Sequence, residues 1–392
     1  MGALKVWLLF VILFSICTVG VWLVWERSRQ NQTSTELISP SVSELLNPKA
    51  NETKVCLSGF ILVKGDSRYK TMDFCLMKYD AKCANATNLS QGLEPAPGSL
   101  CAGGDRKHPN GTYRNNTAGC ACIGNRQVVS TASGFPITYI AESDNTPNNA
   151  KSYCQKLGWH LITNNEWMTV ARNVELVREN WCDRNGANCG YPPGTDGKIL
   201  ANGHNDSNNE KTVGNDGGAL IAGDDSQVCF GTTTDGSNKC GEKGSQKRTL
   251  MLSNKEIIWD LAGNVWQWVD VIVRKGDQPK SKSGNVFDNG WISSEFASGG
   301  QTSVITDNGG GPALGYDSFR PSNPSWNSSK GVGRIFHFSG NGGKLETQYT
   351  FIRGGNWRHG YDSGVFSVHM FPTPDKENID DVGFRCVADL NR

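Results

Sequence analysis

The sequence predicts a helix-poor α+β domain with long Gly/Asn-rich loops, set behind an N-terminal transmembrane helix. Three observations point there. The chain holds 46 Gly and 12 Trp with only 20% charged residues, a composition of turns and aromatic packing rather than of disorder or long helices. Val6 to Trp25 is one apolar run, VWLLFVILFSICTVGVWLVW. Of the 13 cysteines, all but Cys17 lie beyond that run.

The run is 20 residues long, enough for a helix to cross about 30 Å of hydrocarbon. Trp7, Trp22 and Trp25 stand near its ends, where amphipathic rings settle at headgroup depth. A cleaved signal peptide has an apolar core of roughly 7–15 residues followed by small ones, whereas this core is longer and ends in WLVWERSR. Cys17 follows Ile16 inside the run, which does not fit a lipoprotein cleavage site. Residues 1–5 are therefore expected as a short cytoplasmic N-terminus, 6–25 as a signal anchor, and 26–54, rich in Ser, Thr, Asn and Pro, as a flexible stalk.

Beyond the span stand Cys56, Cys75, Cys83, Cys101, Cys120, Cys122, Cys154, Cys182, Cys189, Cys229, Cys240 and Cys386. An even dozen behind a membrane span suits an oxidising compartment and up to six disulfides. No CxxC pair occurs, and Cys120 with Cys122 lacks a second pair, which argues against structural zinc. The expected location is thus the cell membrane, single-pass, with the C-terminal domain extracellular. Sequons at Asn31, Asn51, Asn85, Asn88, Asn110, Asn115, Asn205 and Asn327 are candidate glycosylation positions. A formal charge of +1 removes the electrostatic basis for nucleic-acid binding.

Two helices are predicted. Thr146-Pro147 places a cap before a Pro at the first helical position, and Ala150, Tyr153, Cys154 and Leu157 then recur at helical spacing, with Cys154 facing the core. Thr163 with Glu166 is a capping box opening TNNEWMTVARNVELVREN, with Trp167, Val170, Ala171, Val174 and Val177 on one stripe. From Cys182 to Lys247 the chain reads as Gly/Asn/Asp loop, in which Cys182 with Cys189 and Cys229 with Cys240 are plausible pairs. Short strands between Gly-rich turns are expected from there to Arg392.

Four segments in order carry a family resemblance: DFCLMKYDAK (Asp73 to Lys82), HLITNNEWMTVARN (His160 to Asn173), IIWDLAGNVWQWVD (Ile257 to Asp270), and FIRGGNW with VGFRC (Phe351 to Trp357, Val382 to Cys386). Together they resemble the formylglycine-generating-enzyme/sulfatase-modifying-factor family, over roughly Cys56 to Val387. The resemblance implies a C-type-lectin-like domain over 55–390, with a loop insertion at 183–247. It also implies a disulfide between the Cys of the first helix and that of GFRC, here Cys154 and Cys386. Trp259, Val265, Trp266 and Trp268 of WDLAGNVWQW read first as core residues. The family binds calcium near this motif; Asn264 matches, but Gln267 stands where Glu is usual, and a lost carboxylate weakens a hard-cation site. No metal or other cofactor is assigned, and Asn264 with Gln267 remain the calcium candidates.

Catalytic relatives oxidise a substrate cysteine with a cysteine pair between the RGG and GFRC motifs. None lies from Arg353 to Arg385, and no other residue type replaces the softness of thiolate toward copper. His108, His160, His204, His337, His359 and His369 show no helical metal-ligand spacing. His359, Asp362 and Ser363 have no nucleophile elbow around them. No catalytic residue is assigned.

VFSVHMFP (Val365 to Pro372) alternates, so Phe366, Val368 and Met370 are expected to face a core and Ser367, His369 and Phe371 to be displayed. The whole segment 353–386 also resembles the variable region of diversity-generating retroelement target proteins, in which RGGNW, GVF and GFRC stay fixed. Arg358, His359, Tyr361, Asp362, His369, Phe371, Pro372, Asp380 and Asp381 fall where adenine-rich Asn codons are usual. Changes at the two adenines of AAC reach each of these residue types. The expected function is a cell-surface binder whose variable patch takes a protein or glycan ligand on another cell, a virus or a surface. The alternatives are a fixed-sequence adhesin or lectin of the same fold and, last, a formylglycine-generating-type oxidase.

Overall fold

The structure, a computed structural model, describes residues 55–87, 93–95, 120–144, 148–183, 188–205, 247–275, 278, 285–287, 291–296, 316–338, 344, 346–357, 359–370, 372–375 and 381–390. The chain divides after Thr53, and all described residues belong to Lys54–Arg392. The expected membrane span and stalk lie outside them; among the described residues no helix is long and apolar enough to cross a membrane.

The fold is helix-poor α+β. In chain order the main elements are β1 (Phe60–Val63), β2 (Phe74–Met77), α1 (Ala150–Gln155), β3 (His160–Leu161), α2 (Asn164–Glu175), β4 (Trp266–Arg274), β5 (Asn285–Phe287), β6 (Trp291–Ser294), β7 (Ile335–Phe338), β8 (Gln348–Gly354), β9 (Gly364–His369), β10 (Val382–Phe384) and β11 (Cys386–Asp389). One sheet has the order β1-β2-β11-β3, and the larger one β5-β6-β7-β9-β8-β4-β10. Within the larger sheet β7–β9 and β4–β10 are parallel.

Asn149, not Thr146, caps α1: its side chain accepts from the Ser152 N–H, so the helix starts three residues beyond Pro147. The capping box of α2 forms as expected, Thr163 Oγ1 accepting from Glu166 N–H and Glu166 accepting from Thr163 N–H at 2.8 Å. Val177 falls beyond the last turn. There the Asn180 amide donates to the Val174 carbonyl and the Trp181 indole to that of Glu175, closing the helix with side chains from the following segment. The region read as loop opens with an antiparallel ribbon, Trp181–Asp183 against Lys198–Leu200, tied by a Cys182–Cys189 disulfide.

The larger sheet is covered on both faces. On one, Trp167, Val170, Ala171 and Val174 of α2 join Val269, Phe351, Phe366 and Val368 in a core; on the other, Tyr153 and Cys154 of α1 join Trp266, Trp268, Phe336 and Ile352. This is why WQWV at the start of β4 is buried at every position instead of alternating.

Disulfides link Cys56–Cys75, Cys83–Cys122 and Cys154–Cys386, the last spanning 232 residues between α1 and β11. Cys101, Cys229 and Cys240, and the side chain of Cys120, lie outside the described residues.

Arg385 is the one residue between β10 of the larger sheet and β11 of the smaller. Its buried guanidinium donates to Gln267 Oε1 (2.8 Å), Met77 O (3.1 Å), Asp80 Oδ1 (2.8 Å) and Trp259 O. Nearby, Arg248 grips Asp260 through two bonds of 2.8 and 2.6 Å. Burial raises the Asp80 carboxyl to about 6 against the pull of Arg385, and pushes the Lys82 ammonium down to about 7.

Arg385→Leu strands the Asp80 carboxylate in the core, so a loss of about 3–5 kcal/mol is expected in denaturant unfolding. Replacing Cys154 and Cys386 together by Ser is expected to cost about 2–5 kcal/mol by the same measurement, with little change once both proteins are compared under reducing conditions.

Candidate ligand-binding site

Gly354 and Gly355 end β8 with φ of +93° and +82°. A Cβ would sit 2.7 Å from the Leu261 carbonyl at the first and 2.4 Å from Ser363 Cα at the second, so RGG is needed where the chain turns out of the sheet. The loop that follows is held by its backbone. Gly263 N donates to Gly354 O, Trp357 N to Asn264 O, and Gly360 N to Asn205 O, each at 3.0 Å. Asp362 N donates to His359 O at 2.8 Å, closing the turn Gly360–Asp362. Two further framework groups join in, Ser363 Oγ donating to Asn356 O at 2.9 Å and Asn356 Nδ2 to Asp381 Oδ2.

Register places one row across five strands: Trp268 on β4, Ile352 on β8, His369 on β9, Phe336 on β7 and Ser293 on β6. His369 stacks on Phe336 (centroids 4.9 Å) and meets Trp266 edge-on (5.9 Å). His359 meets Trp266 at 5.5 Å and Phe336 at 6.1 Å, and its Nδ1 accepts from the Trp266 indole at 3.0 Å. Trp266 and Phe336 are buried and the two histidines half-buried, so loop and strand meet over a fixed aromatic pair. Burial pushes the His369 imidazole down to about 3, and the neighbouring His359 adds to the effect.

Asp362 is half-buried and pairs with Arg334 at 3.0 Å, which in turn holds Glu295 at 2.7 Å. Burial raises the Asp362 carboxyl in spite of Arg334. The remaining candidate positions divide. Ser367 is buried, its hydroxyl donating to the Asp362 carbonyl, and a Cβ on Gly333 would meet that hydroxyl at 1.8 Å. The expected display face of β9 is therefore covered at Ser367 by the Val332–Gly333 backbone, and strand alternation alone misplaces it. Pro372 is buried and accepts from Thr350 N at 2.9 Å. Asp381 is buried as well, its carbonyl accepting from Trp266 N at 2.7 Å. Arg358, Phe371, Asp380 and the side chain of Tyr361 lie outside the described residues.

Of the calcium candidates, Gln267 does not fit as a cation ligand. Gln267 Oε1 faces the Arg385 guanidinium, its Nε2 donates to Asp260 O at 2.8 Å, and the Asn264 amide donates to Asp80. A cation at Gln267 would meet a guanidinium head-on. Sequence reasoning missed Phe336, Arg334 and Glu295, for which no motif stands in the sequence, and read Trp266 as core alone.

The geometry defines a disulfide-bonded, two-sheet α+β domain in which the RGG loop and the GFRC strand meet at buried side chains. Residues 110–390 match the family described as sulfatase-modifying factor enzyme 1-like domain, and the chain belongs to this family. Solved structures of Major Tropism Determinant, the I1 and U1 variants, align over 86% of this chain and 73% of theirs at 11% identity, with TM-scores of 0.24 and 0.25, likenesses too slight to carry an inference. No curated protein matches the chain.

A His with its folded value near 3 leaves the folded state unprotonated while the unfolded chain takes a proton near the ordinary 6.5. Stability is therefore lost as pH falls from 6.5 toward 3. His369→Phe, which keeps a ring against Phe336, is expected to remove up to about 1.4 kcal/mol per pH unit of that slope, read as unfolding midpoints of the two proteins between pH 4 and 7.

Proposed function

We propose that the chain is a cell-surface ligand-binding protein, displaying a diversified C-terminal patch on a C-type-lectin-like scaffold and performing no catalysis. One observation carries the reading. Among the described side chains from 351 to 370, all are buried except His359, Asp362 and His369, and all three stand at positions reachable from Asn codons. The framework residues between them form core. The loop's backbone bonds, moreover, do not depend on what side chains 359 and 362 carry, which is the property a changeable patch requires.

The absence of cysteine from Arg353 to Arg385 supports a binding role over the family's oxidation chemistry. The apolar run Val6 to Trp25 supports anchoring in the cell membrane, with the domain extracellular. The partner is a protein or glycan on another cell, a virus or a surface, and the neutral overall charge speaks against nucleic acid.

Sequencing the gene and its surroundings in sister strains tests this. Substitutions are expected to concentrate at 358, 359, 361, 362, 369 and 371, beside a reverse-transcriptase gene and a near-copy of the segment encoding 353–386. Substitutions spread evenly over the surface, with neither neighbour in a complete genome, would overturn it in favour of a fixed-sequence binder.

A further inference from the structure

The patch leans on a side chain outside the segment that carries it. Trp266 is 1% exposed, and its indole N–H is given to His359 Nδ1 at 3.0 Å. The ring is hemmed in, with Phe336 edge-on at 6.0 Å and His369 at 5.9 Å, while its backbone N–H is held by Asp381 O. Position 359 is held equally firmly, its carbonyl accepting from Asp362 N. The ring of Trp266 and the backbone at 359 are thus each tied in place by contacts other than the one between them. A buried indole N–H whose acceptor is removed keeps its desolvation cost and loses the bond that offset it.

We propose that Trp266 is a specificity-determining residue of the patch: its indole N–H restricts position 359 to side chains that accept a hydrogen bond, and orients the acceptor that stands there. The functional meaning rests on segment 353–386 being diversified, but the coupling itself does not. Asn and Asp carry an oxygen the same number of bonds from Cβ as Nδ1 of His, so these three satisfy the indole in one geometry. Ser and Thr are one bond shorter. Leu has nearly the shape of Asn and no acceptor. An AAC codon changed at its adenines reaches Asn, Asp and His but also Leu, Ile, Val and Phe, so the fixed indole sieves the repertoire before any ligand is met.

The test uses the purified full-length chain with His359→Asn, His359→Leu, Trp266→Phe and the Trp266→Phe/His359→Leu pair, read as the rate of native-state trypsin cleavage. His359→Leu is expected to be cleaved about tenfold faster than His359→Asn, about 1.4 kcal/mol, and the double variant within about twofold of Trp266→Phe alone. Equal rates for the Asn and Leu variants overturn the proposal, and so does a tenfold deficit that persists without the indole N–H. If Trp266→Phe does not fold, equal rates for the Asn and Leu variants still overturn the proposal. In sister genes, Asn, Asp and His are expected to outnumber Leu, Ile and Val at 359, and equal frequencies overturn the sieve. A position 359 that never varies overturns the diversified reading instead, and leaves the cleavage result to stand alone.

Discussion

The Arg385 guanidinium is the constraint on which the rest of this domain depends. It stands at the single residue where the chain passes from the larger sheet to the smaller, and it reaches Met77–Asp80 and Trp259–Gln267, two segments distant in sequence from it and from each other. A cation buried this completely is tolerated only when its donors are satisfied, so the β2 end, the WDLAGN loop and the GFRC strand must all arrive together. The upward shift of Asp80 to about 6 measures the same burial from the carboxylate's side. Cys154–Cys386 then closes the chain from α1 onto β11, across 232 residues.

The candidate site follows from how the larger sheet is covered. Both faces are packed near α1 and α2, and the described side chains of segment 351–370 other than His359, Asp362 and His369 are buried. Arg353 is an example: buried, it donates to Asn164 Oδ1, Ser318 O and Phe366 O, and burial lowers its guanidinium to about 9. Where that cover ends, His359 and His369 remain partly open over Trp266 and Phe336, and Asp362 remains partly open beside Arg334. Main-chain bonds set the loop's path, so its shape is separable from its side chains, with Trp266 and His359 as the point where the two meet.

Much of this was legible from sequence because the signals are local. The capping box of α2 is read from Thr163 and Glu166, the helical spacing that buries Cys154 from its neighbours, and the core role of Trp259, Trp266 and Trp268 from bulk and apolarity. The start of α1 was not, because both Thr146 and Asn149 are competent caps and only the fold chooses between them. Ser367 was placed on display by alternation, which assumes one open face; the Val332–Gly333 backbone, remote in sequence, closes that face. Gln267 read as a weakened calcium ligand because its nearest charge, Arg385, lies over a hundred residues away.

The sequence by itself determined the membrane-span candidate, the helix-poor class, the family to which the chain belongs, and the stretch in which a binding surface was to be sought. Periodicity, caps and motif order are carried by neighbouring residues, and so survive in one dimension. The tertiary structure alone decided which of the candidate positions stay open, that the cation beside Gln267 is an arginine, and that Trp266, Phe336 and Arg334 lie under and beside the patch. Those outcomes depend on which strands lie side by side, and the row from Trp268 through Ile352, His369 and Phe336 to Ser293 exists only once β4, β8, β9, β7 and β6 have paired.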